Sequence, residues 1–345
     1  MSEASTAGAV YVQTNEQENR VVAFRRDAGG ALEMIGTYPT GGAGDGKPHL
    51  TSQGSVVLTG DSRHLIVTNA ASDDVTVFAV GAGGELETVG RTPSGPAPKS
   101  VAEHGGLVYV LNTGAGTVTG FRLGEGGLKP IAGGERSLSA SDADGAQIGF
   151  TPDGSAVVVT ERGANSIVTY PVGDDGTLGA LHLVASSGPT PYGFAITTDG
   201  TLVVTEAFGA QKGAAAASSY MVDGTAVTAV TASVGNGRSE ICWAVVTTDG
   251  RHAFTTNFAD GAVSRYGIGE DGSLTLEDAT AGLTVDGRVG LRDLGLTGDG
   301  RFLYAVDADS GSVYGWAVDG EGSLTPAGST AEGALPATVA GLAAG

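Results

Sequence analysis

The sequence lacks the features that would place it in several common classes of protein. Its single cysteine, Cys242, excludes an internal disulfide bond. It has no run of 18 apolar residues, which argues against a transmembrane helix. Only 18 lysines and arginines stand against 38 aspartates and glutamates, and the net charge of −20 argues against nucleic acid or an anionic membrane surface as a partner.

The first residues, MSEASTAGAVYV, also lack the basic region and apolar core of a secretory signal peptide. As written, the chain is therefore expected to be cytoplasmic, or secreted if a signal peptide has been removed from it. What the sequence does contain in quantity is glycine, at 59 residues. Many short strands joined by tight turns require this composition, and Gly and Asp are expected to supply the positive φ angles of those turns.

One pattern recurs seven times along the chain. Each copy has an apolar run, a turn that usually contains Asp-Gly, a second β-rich run and a final polar residue. Two clear copies are GAQIGFTPDGSAVVVTE and ICWAVVTTDGRHAFTTN. The period of 43 to 54 residues is typical of a four-stranded propeller blade rather than of a helical solenoid. The final polar residues, called here the strand-end ring, are Asn15, Asn69, Asn112, Glu161, Glu206, Asn257 and Asp307.

The number of strands predicts how the ring closes. The N-terminal segment offers only three strands, near 9–15, 19–25 and 31–38, whereas the C-terminal LPATVAGLAAG matches an isolated innermost strand. Pairing the two completes seven blades and leaves no open sheet edge. The predicted fold is all-β, a seven-bladed β-propeller with four antiparallel strands per blade. It forms a single domain over residues 1–345, with residues 1–8 as a disordered tail.

Strand direction predicts the position of a functional site. The first strand of each blade runs away from one face and the second returns to it, so first-strand starts and second-strand ends should surround one mouth of the central channel. A concave mouth with aromatic walls and converging charges is the usual position of a small-molecule site. The predicted first-strand positions are Ser55, Lys99, Gln147, Tyr192, Trp243, Asp293 and Ala337.

One of these first-strand positions and two of the strand-end ring are candidate catalytic residues. Glu161 and Glu206 end second strands in neighbouring blades, where two carboxylates could share a proton or activate water. Lys99 could hold an oxyanion or a substrate carboxylate. The alternatives are that the two glutamates are solvated or paired with Arg162, and that Lys99 forms a salt bridge with Asp293 or Glu103.

The remaining candidates would contact the substrate. Tyr192 and Trp243 could instead fill space between blades, and Arg292 and Asp293 could form an internal ion pair. Loop 207–219 could be a lid or a tolerated insertion. Cys242 is expected to be a small buried hydrophobe rather than a nucleophile. The substrate-binding candidates are Tyr192, Trp243, Gln147, Arg162, Asp293, Arg292, His49 and Phe208.

The polar strand-end ring has a structural and a functional interpretation. Its Asn and Asp side chains are expected to cap their own loops. A ring of such oxygens would alternatively suit Ca²⁺. The five histidines show no metal-ligand spacing, so no metal site is assigned and no cofactor is expected, with Ca²⁺ as the alternative.

Several segments resemble a known family. The sequences AQIGFTPDGSAVVVTERGANSIVTYPV and GPTPYGFAITTDGTLVVTEAFG resemble the seven-bladed lactonase-like propellers with YVTN repeats, in particular an actinobacterial branch. That group includes 6-phosphogluconolactonase-type and carboxymuconate-lactonising proteins, and the resemblance covers nearly the whole chain. Better-characterised members have a His in the innermost strand before the blade's turn, where this chain has Ala146-Gln147-Ile148. That part of the family mechanism is not carried over.

Three functions remain open at this point. The first is an enzyme that hydrolyses or isomerises a lactone at the channel mouth by carboxylate acid–base chemistry. The second is a propeller that binds a ligand or a protein without turnover, and the third is a Ca²⁺-assisted lactonase. The expected partner is a small-molecule substrate; the sequence does not determine the oligomeric state, and a monomer is favoured.

Overall fold

The computed structural model describes residues 8–48, 50–284 and 287–345. Within them the chain forms 28 strands in seven four-stranded antiparallel sheets, which confirms the predicted seven-bladed propeller. Residues 1–7 of the predicted tail and the candidate His49 lie outside the described residues, and Gly8 is the first residue of the first strand. No helix in the described ranges is long and apolar enough to cross a membrane.

The strands of the first four blades follow the chain, apart from the innermost strand of blade 1. Blade 1 contains β1 (Gly8–Gln13), β2 (Arg20–Arg26) and β3 (Leu32–Pro39). Blade 2 contains β4 (Val56–Leu58), β5 (His64–Asn69), β6 (Asp74–Val80) and β7 (Leu86–Pro93). Blade 3 contains β8 (Pro98–His104), β9 (Leu107–Asn112), β10 (Thr117–Gly124) and β11 (Gly127–Ser137). Blade 4 contains β12 (Gly145–Phe150), β13 (Ala156–Glu161), β14 (Ser166–Pro171) and β15 (His182–Ala185).

The last three blades have the same order, and the final strand returns to blade 1. Blade 5 contains β16 (Pro191–Ile196), β17 (Thr201–Glu206), β18 (Ala216–Asp223) and β19 (Ala226–Gly235), with a 3₁₀ turn at Phe208–Ala210. Blade 6 contains β20 (Ile241–Val246), β21 (His252–Asn257), β22 (Ala262–Ile268) and β23 (Leu274–Leu283). Blade 7 contains β24 (Leu291–Leu296), β25 (Phe302–Asp307), β26 (Ser312–Val318) and β27 (Leu324–Ser329), and the chain ends in β28 (Ala340–Ala344).

The ring closes as predicted, because β28 is the innermost strand of blade 1. It pairs antiparallel with β1, with Val10 opposite Ala344 and Val12 opposite Leu342. Apolar residues of both strands then share one core with strands of blade 7. Closure therefore satisfies the backbone edge of β1 and buries apolar side chains in the same step.

The Asp-Gly turns are stabilised by hydrogen bonds to the hydroxyl group of a threonine that precedes them. In blade 4 the Thr151 hydroxyl donates to Asp153 at 2.7 Å and accepts the N–H of Ala156 at 3.0 Å. The N–H of Ser155 and the Thr151 hydroxyl hold the pKa of Asp153 below its usual value. Only the glycine of this turn, Gly154, has a positive φ, of 72°. The expectation that Asp also supplies positive φ is wrong here, because Asp153 acts as a hydrogen-bond acceptor instead.

Buried tyrosines connect neighbouring blades. The hydroxyl of Tyr109 in blade 3 donates to the carbonyl of Gly176 in the outer hairpin of blade 4, at 2.7 Å. Tyr304 in blade 7 makes the equivalent bond to Gly30 in blade 1, also at 2.7 Å. Both glycines have positive φ, which L-residues adopt at a cost. The outer hairpins are thus anchored to the second strand of the preceding blade.

We expect deletion of residues 334–345 to destabilise the whole ring. The deletion removes β28, exposes the backbone edge of β1 and uncovers the apolar residues that β28 buries. Thermal unfolding should shift to lower temperature and lose cooperativity, and size-exclusion chromatography should show association through the open edge. A truncated protein that keeps the parent melting temperature and remains monodisperse would contradict the role of β28 in closure.

Candidate functional site

The innermost strands of blades 3 to 7 are bulged where they begin, on the predicted mouth side. Each bulge leaves one or two residues out of the regular pairing with the second strand. Bulges redirect side chains and are common beside functional sites. Most of the candidates predicted on first strands lie in them. The bulge residues are Lys99, Ala146, Tyr192, Gly193, Cys242, Trp243, Arg292 and Asp293.

Residues 50–54, called here the crossing segment, span the channel axis. The Gln53 side chain in blade 2 binds the backbone of Ala244 in blade 6, accepting from its N–H at 3.0 Å and donating to its carbonyl at 2.7 Å. The Gln53 N–H donates to the carbonyl of Ala146 in blade 4, and Ser100 of blade 3 donates its hydroxyl to the Gln53 carbonyl at 2.6 Å. These bonds tie four blades together at the centre of the ring.

Lys99 is partly buried beside the crossing segment. Its Nζ donates to the Thr51 hydroxyl at 3.3 Å, and its carbonyl accepts the Ser52 hydroxyl at 2.7 Å. Burial lowers the pKa of Lys99, while the nearby carboxylates of Asp45 and Asp144 act in the opposite direction. Lys99 forms no salt bridge with any described carboxylate, so the alternative of a pair with Asp293 or Glu103 is wrong.

Arg162 organises the charges around Lys99. Its guanidinium forms a 2.6 Å salt bridge with Asp144, whose side chain is about half exposed (49%). The same guanidinium lies 5.1 Å from the centre of the Tyr192 ring, a cation–π distance. Arg162 and Asp144 both influence the pKa of Lys99, which places the three groups in one electrostatic cluster. Arg162, Asp144 and Lys99 are called here the mouth cluster.

The aromatic candidates lie beneath this cluster rather than forming open walls. Tyr192 and Trp243 are only 3% and 2% exposed and contact each other edge to face. The Trp243 indole N–H donates to the Ser52 carbonyl of the crossing segment at 2.9 Å. The Tyr192 hydroxyl has no hydrogen-bond partner, and burial raises its pKa well above the usual value. Their burial in one core cluster agrees with the alternative interpretation, in which these aromatic residues fill space between blades.

Gln147, Arg292 and Asp293 have other contacts than those predicted. Gln147 binds both backbone groups of Phe194 in the neighbouring blade, at 2.6 and 3.0 Å. Arg292 donates to the carbonyl of Val339 at 2.7 Å and lies 5.7 Å from the Phe258 ring. Arg292 and Asp293 therefore do not form the predicted salt bridge, because adjacent residues of a bulge point in different directions.

Glu161 and Glu206 do not line a solvent-filled channel mouth. Both are fully buried. Glu161 accepts the N–H and hydroxyl of Ser139 at 2.9 and 2.5 Å, and the hydroxyl of Ser166 at 2.6 Å. The two glutamates share no hydrogen-bond partner, so the structure does not bring them together as an acid–base pair. Glu206 accepts from Gly188 N–H at 2.8 Å, Ser218 Oγ at 2.5 Å and Ser233 Oγ at 2.7 Å.

Two of the Asn and Asp side chains of the strand-end ring bind their own loops, as the structural interpretation predicted: Asn257 donates to the carbonyl of Ala262, and Asp307 accepts the N–H of Asp309. Asn112 instead donates to the carbonyl of Ser94, in the loop before its own blade, and Asn15 donates to the Asp45 carboxylate. Across the described ranges, no group of three or more His, Cys, Asp or Glu side chains is arranged to hold a metal ion.

The remaining candidates lie apart from the mouth cluster or beneath it. Phe208 begins the 3₁₀ turn of loop 207–219, is partly buried, and donates its N–H to Pro189 at 3.2 Å. Cys242 is buried, and burial raises the pKa of its thiol, which confirms it as a small hydrophobe. Sequence reasoning missed Asp144 and Gln53, because neither matches the repeat position from which the site was predicted.

We expect Glu206→Ala to act on stability. Removing this carboxylate leaves the Gly188 N–H and two serine hydroxyls without their buried acceptor, which should lower the free energy of unfolding by about 2 kcal/mol or more. Chemical denaturation followed by fluorescence measures the change, with the exposed Glu270→Ala as the matched control. If Glu206→Ala unfolds at the same denaturant concentration as the parent, the anchoring role is wrong.

Comparison with known proteins places this architecture in a family. The family described as "Lactonase, 7-bladed beta-propeller" matches residues 4–132, 131–207 and 205–340. No curated protein sequence gives a significant match.

Solved structures share the fold at low sequence identity. A candidate 6-phosphogluconolactonase from Bacteroides uniformis is 18% identical, covers 96% of this chain and 98% of its own, and superposes with a TM-score of 0.74. A periplasmic gluconolactonase from Pseudomonas aeruginosa is 17% identical, with 95% and 97% of the two chains covered and a TM-score of 0.73. At these identities the likeness concerns the fold, whereas the family match covers nearly the whole sequence. The chain belongs to the seven-bladed β-propeller lactonase family.

Proposed function

We propose that this protein hydrolyses a lactone at the mouth cluster. Family membership supports the reaction class, and two of the similar structures carry names of lactone-hydrolysing enzymes. The observation that carries the proposal is the arrangement of Lys99, Arg162 and Asp144. A half-exposed carboxylate is held at 2.6 Å by a guanidinium, beside a lysine that forms no salt bridge with a carboxylate of the described ranges.

Each member of the cluster has a distinct role in this reaction. Asp144 accepts a proton from a water molecule, whose oxygen attacks the lactone carbonyl carbon. Lys99 donates to the carbonyl oxygen as negative charge develops on it. The bond between that carbon and the ring oxygen then breaks, and the ring oxygen receives the proton held by Asp144 to become the hydroxyl of the product. The product is a hydroxy acid, which releases one proton at neutral pH.

The charge around the cluster indicates the kind of lactone that would fit. Lys47 and Lys99 are two of only four lysines in the chain, and with Arg162 they form a cationic area in a protein of net charge −20. Asp45 and Asp144 offset this charge only in part. A lactone with a carboxylate or phosphate substituent would therefore bind better than a neutral one.

We expect Lys99→Met and Asp144→Asn each to reduce kcat by roughly 10² or more, the usual contribution of one oxyanion donor or one base. A panel of neutral and anionic lactones, followed by pH-stat titration of the released acid, measures hydrolysis directly. Isomerisation would consume substrate without acid release, and loss of activity with a chelator followed by rescue with Ca²⁺ would support the metal-assisted alternative.

The matched control is Lys129→Met, which makes the same substitution at an exposed position of an outer strand. It should keep full activity. A panel on which the parent protein is inactive would favour a binding propeller, and full activity of both mouth variants would place the reaction elsewhere.

The lowered pKa of Lys99 predicts the alkaline limb of the pH–rate profile. Lys99 acts in its charged form, so kcat should fall as pH rises through its lowered pKa, below the usual value for lysine of 10.5. Lys99→Arg retains the charge to higher pH and should move this limb upward, even if the rate itself is lower. An alkaline limb that is identical in the parent and in Lys99→Arg would exclude Lys99 as its source.

A further inference from the structure

The glycine-rich segment between blades 1 and 2 is attached to the loop that follows β1. The N–H of Gly44 donates to the Glu16 carbonyl at 2.8 Å, and the N–H of Gly46 donates to the Asn15 carbonyl at 3.0 Å. A Cβ on Gly44 would lie 2.3 Å from the carbonyl carbon of Asn15, so only glycine allows this close approach. Residues 44–47 are called here the clamped segment.

The side chain of Asn15 completes this attachment. Its Oδ1 accepts the N–H of Asp45 at 3.1 Å, and its Nδ2 donates to Oδ1 of the Asp45 carboxylate at 2.8 Å. The backbone N–H of Lys47 donates to the same carboxylate oxygen at 3.0 Å. Asn15 is fully buried and has a left-handed φ of 52°, which asparagine adopts more readily than most residues. The carboxylate of the partly exposed Asp45 is therefore held in one position.

The clamped segment places a second carboxylate beside Lys99. Lys99 lies in the bulge at the start of β8, and its Nζ donates to the Thr51 hydroxyl at 3.3 Å, a long hydrogen bond. Asp45 raises the pKa of Lys99 more than Asp144 does, so its carboxylate has the stronger attraction for the ammonium group. The charged groups that act on Lys99 are Asp45, Arg162, Asp144 and Lys47.

Asp144 and Asp45 have different surroundings, which gives them different roles. The Arg162 guanidinium holds Asp144 at 2.6 Å, and Asp144 accepts the proton of the attacking water in the proposed reaction. Asp45 forms no salt bridge with a basic side chain of the described ranges, and its Oδ1 accepts from two uncharged amide donors. An ammonium group on a flexible four-carbon stem needs charges of fixed position to orient it. Asp45 is the carboxylate that meets this requirement for Lys99.

We propose that Asp45 is a positioning residue, which directs the Lys99 ammonium group toward the carbonyl oxygen of the lactone, and that Asn15 holds Asp45 in place for this role. The inference rests on the proposed function for its catalytic meaning, because Lys99 is the oxyanion donor of that reaction. Asp45 transfers no proton, and Asp144 remains the base. The attraction between Asp45 and Lys99 can be measured without any substrate.

The variant Asp45→Asn separates the charge of the clamp from its shape. An asparagine oxygen accepts the same two hydrogen bonds from Asn15 and Lys47, so the segment stays in place while the negative charge is lost. Reductive ¹³C-methylation labels the lysines, and an NMR titration follows the ionisation of each, with Lys99→Arg identifying the Lys99 signal. We expect the Lys99 midpoint to fall by about half a pH unit or more in Asp45→Asn.

The lactone assay measures the catalytic part of the proposal. Asp45→Asn should reduce kcat about tenfold with little change in KM, because a misdirected donor stabilises the transition state less well. Its alkaline limb should move to lower pH, as the NMR midpoint does. The matched control is Asp309→Asn, which removes an exposed carboxylate beside the strand-end residue Asp307 of blade 7. It should change neither the Lys99 midpoint nor kcat.

The variant Asn15→Ala tests the clamp itself. It removes both hydrogen bonds of the amide while the Asp45 charge remains, so the Lys99 midpoint should fall in the same direction. Adding Asp45→Asn to this variant should then lower the midpoint by less than it does in the parent. An additional fall as large as in the parent would show that Asn15 does not hold Asp45 in place.

The role of Asp45 is rejected if the Lys99 midpoint is the same in the parent and in Asp45→Asn, or if Asp309→Asn lowers it equally. It is also rejected if the midpoint falls but kcat on the best lactone is unchanged. A lowered midpoint in a protein that hydrolyses no lactone of the panel would contradict the proposed function and still support the attraction between Asp45 and Lys99. The two failures are therefore distinguishable.

Discussion

The pairing of the last strand with the first is the interaction on which the rest of the structure depends. A sheet edge left open at β1 would expose backbone donors and acceptors, and the core shared by blades 1 and 7 would lose one of its walls. Closure also fixes the positions of the seven innermost strands around the axis. Every feature of the channel, including the mouth cluster, requires those strands to be held at fixed distances from one another.

Within the closed ring, the crossing segment makes the two ends of the channel different. Gln53 replaces water as the hydrogen-bond partner of Ala244, which lies 191 residues away in the chain. The adjacent Thr51 and Ser52 contact Lys99, so the same segment supports the mouth cluster on one side and is part of the lining of a channel cavity on the other. Residues 50–55 do not continue β4 inward, and β4 has only three residues, Val56–Leu58.

The buried carboxylates show two solutions to the same physical problem. A carboxylate without water needs donors, and three hydrogen bonds each from serine hydroxyls and backbone N–H groups meet that need for Glu161 and Glu206. Asp293 is buried to the same degree but retains an oxygen without a partner. The first arrangement is what a structural anchor requires. In the second, burial raises the pKa of the Asp293 carboxyl well above its usual value.

The sequence alone determined the repeat, the number of blades and the way the ring closes, because these depend on local patterns of apolar residues and turns. Lys99 and Arg162 could also be identified from it, since strand direction places the starts of first strands and the ends of second strands near one mouth. Only the tertiary structure decided which polar groups are satisfied. Glu161 and Glu206 accept hydrogen bonds from serines of other strands and loops, Asp144 gains its role from Arg162, and the local repeat pattern does not encode these contacts.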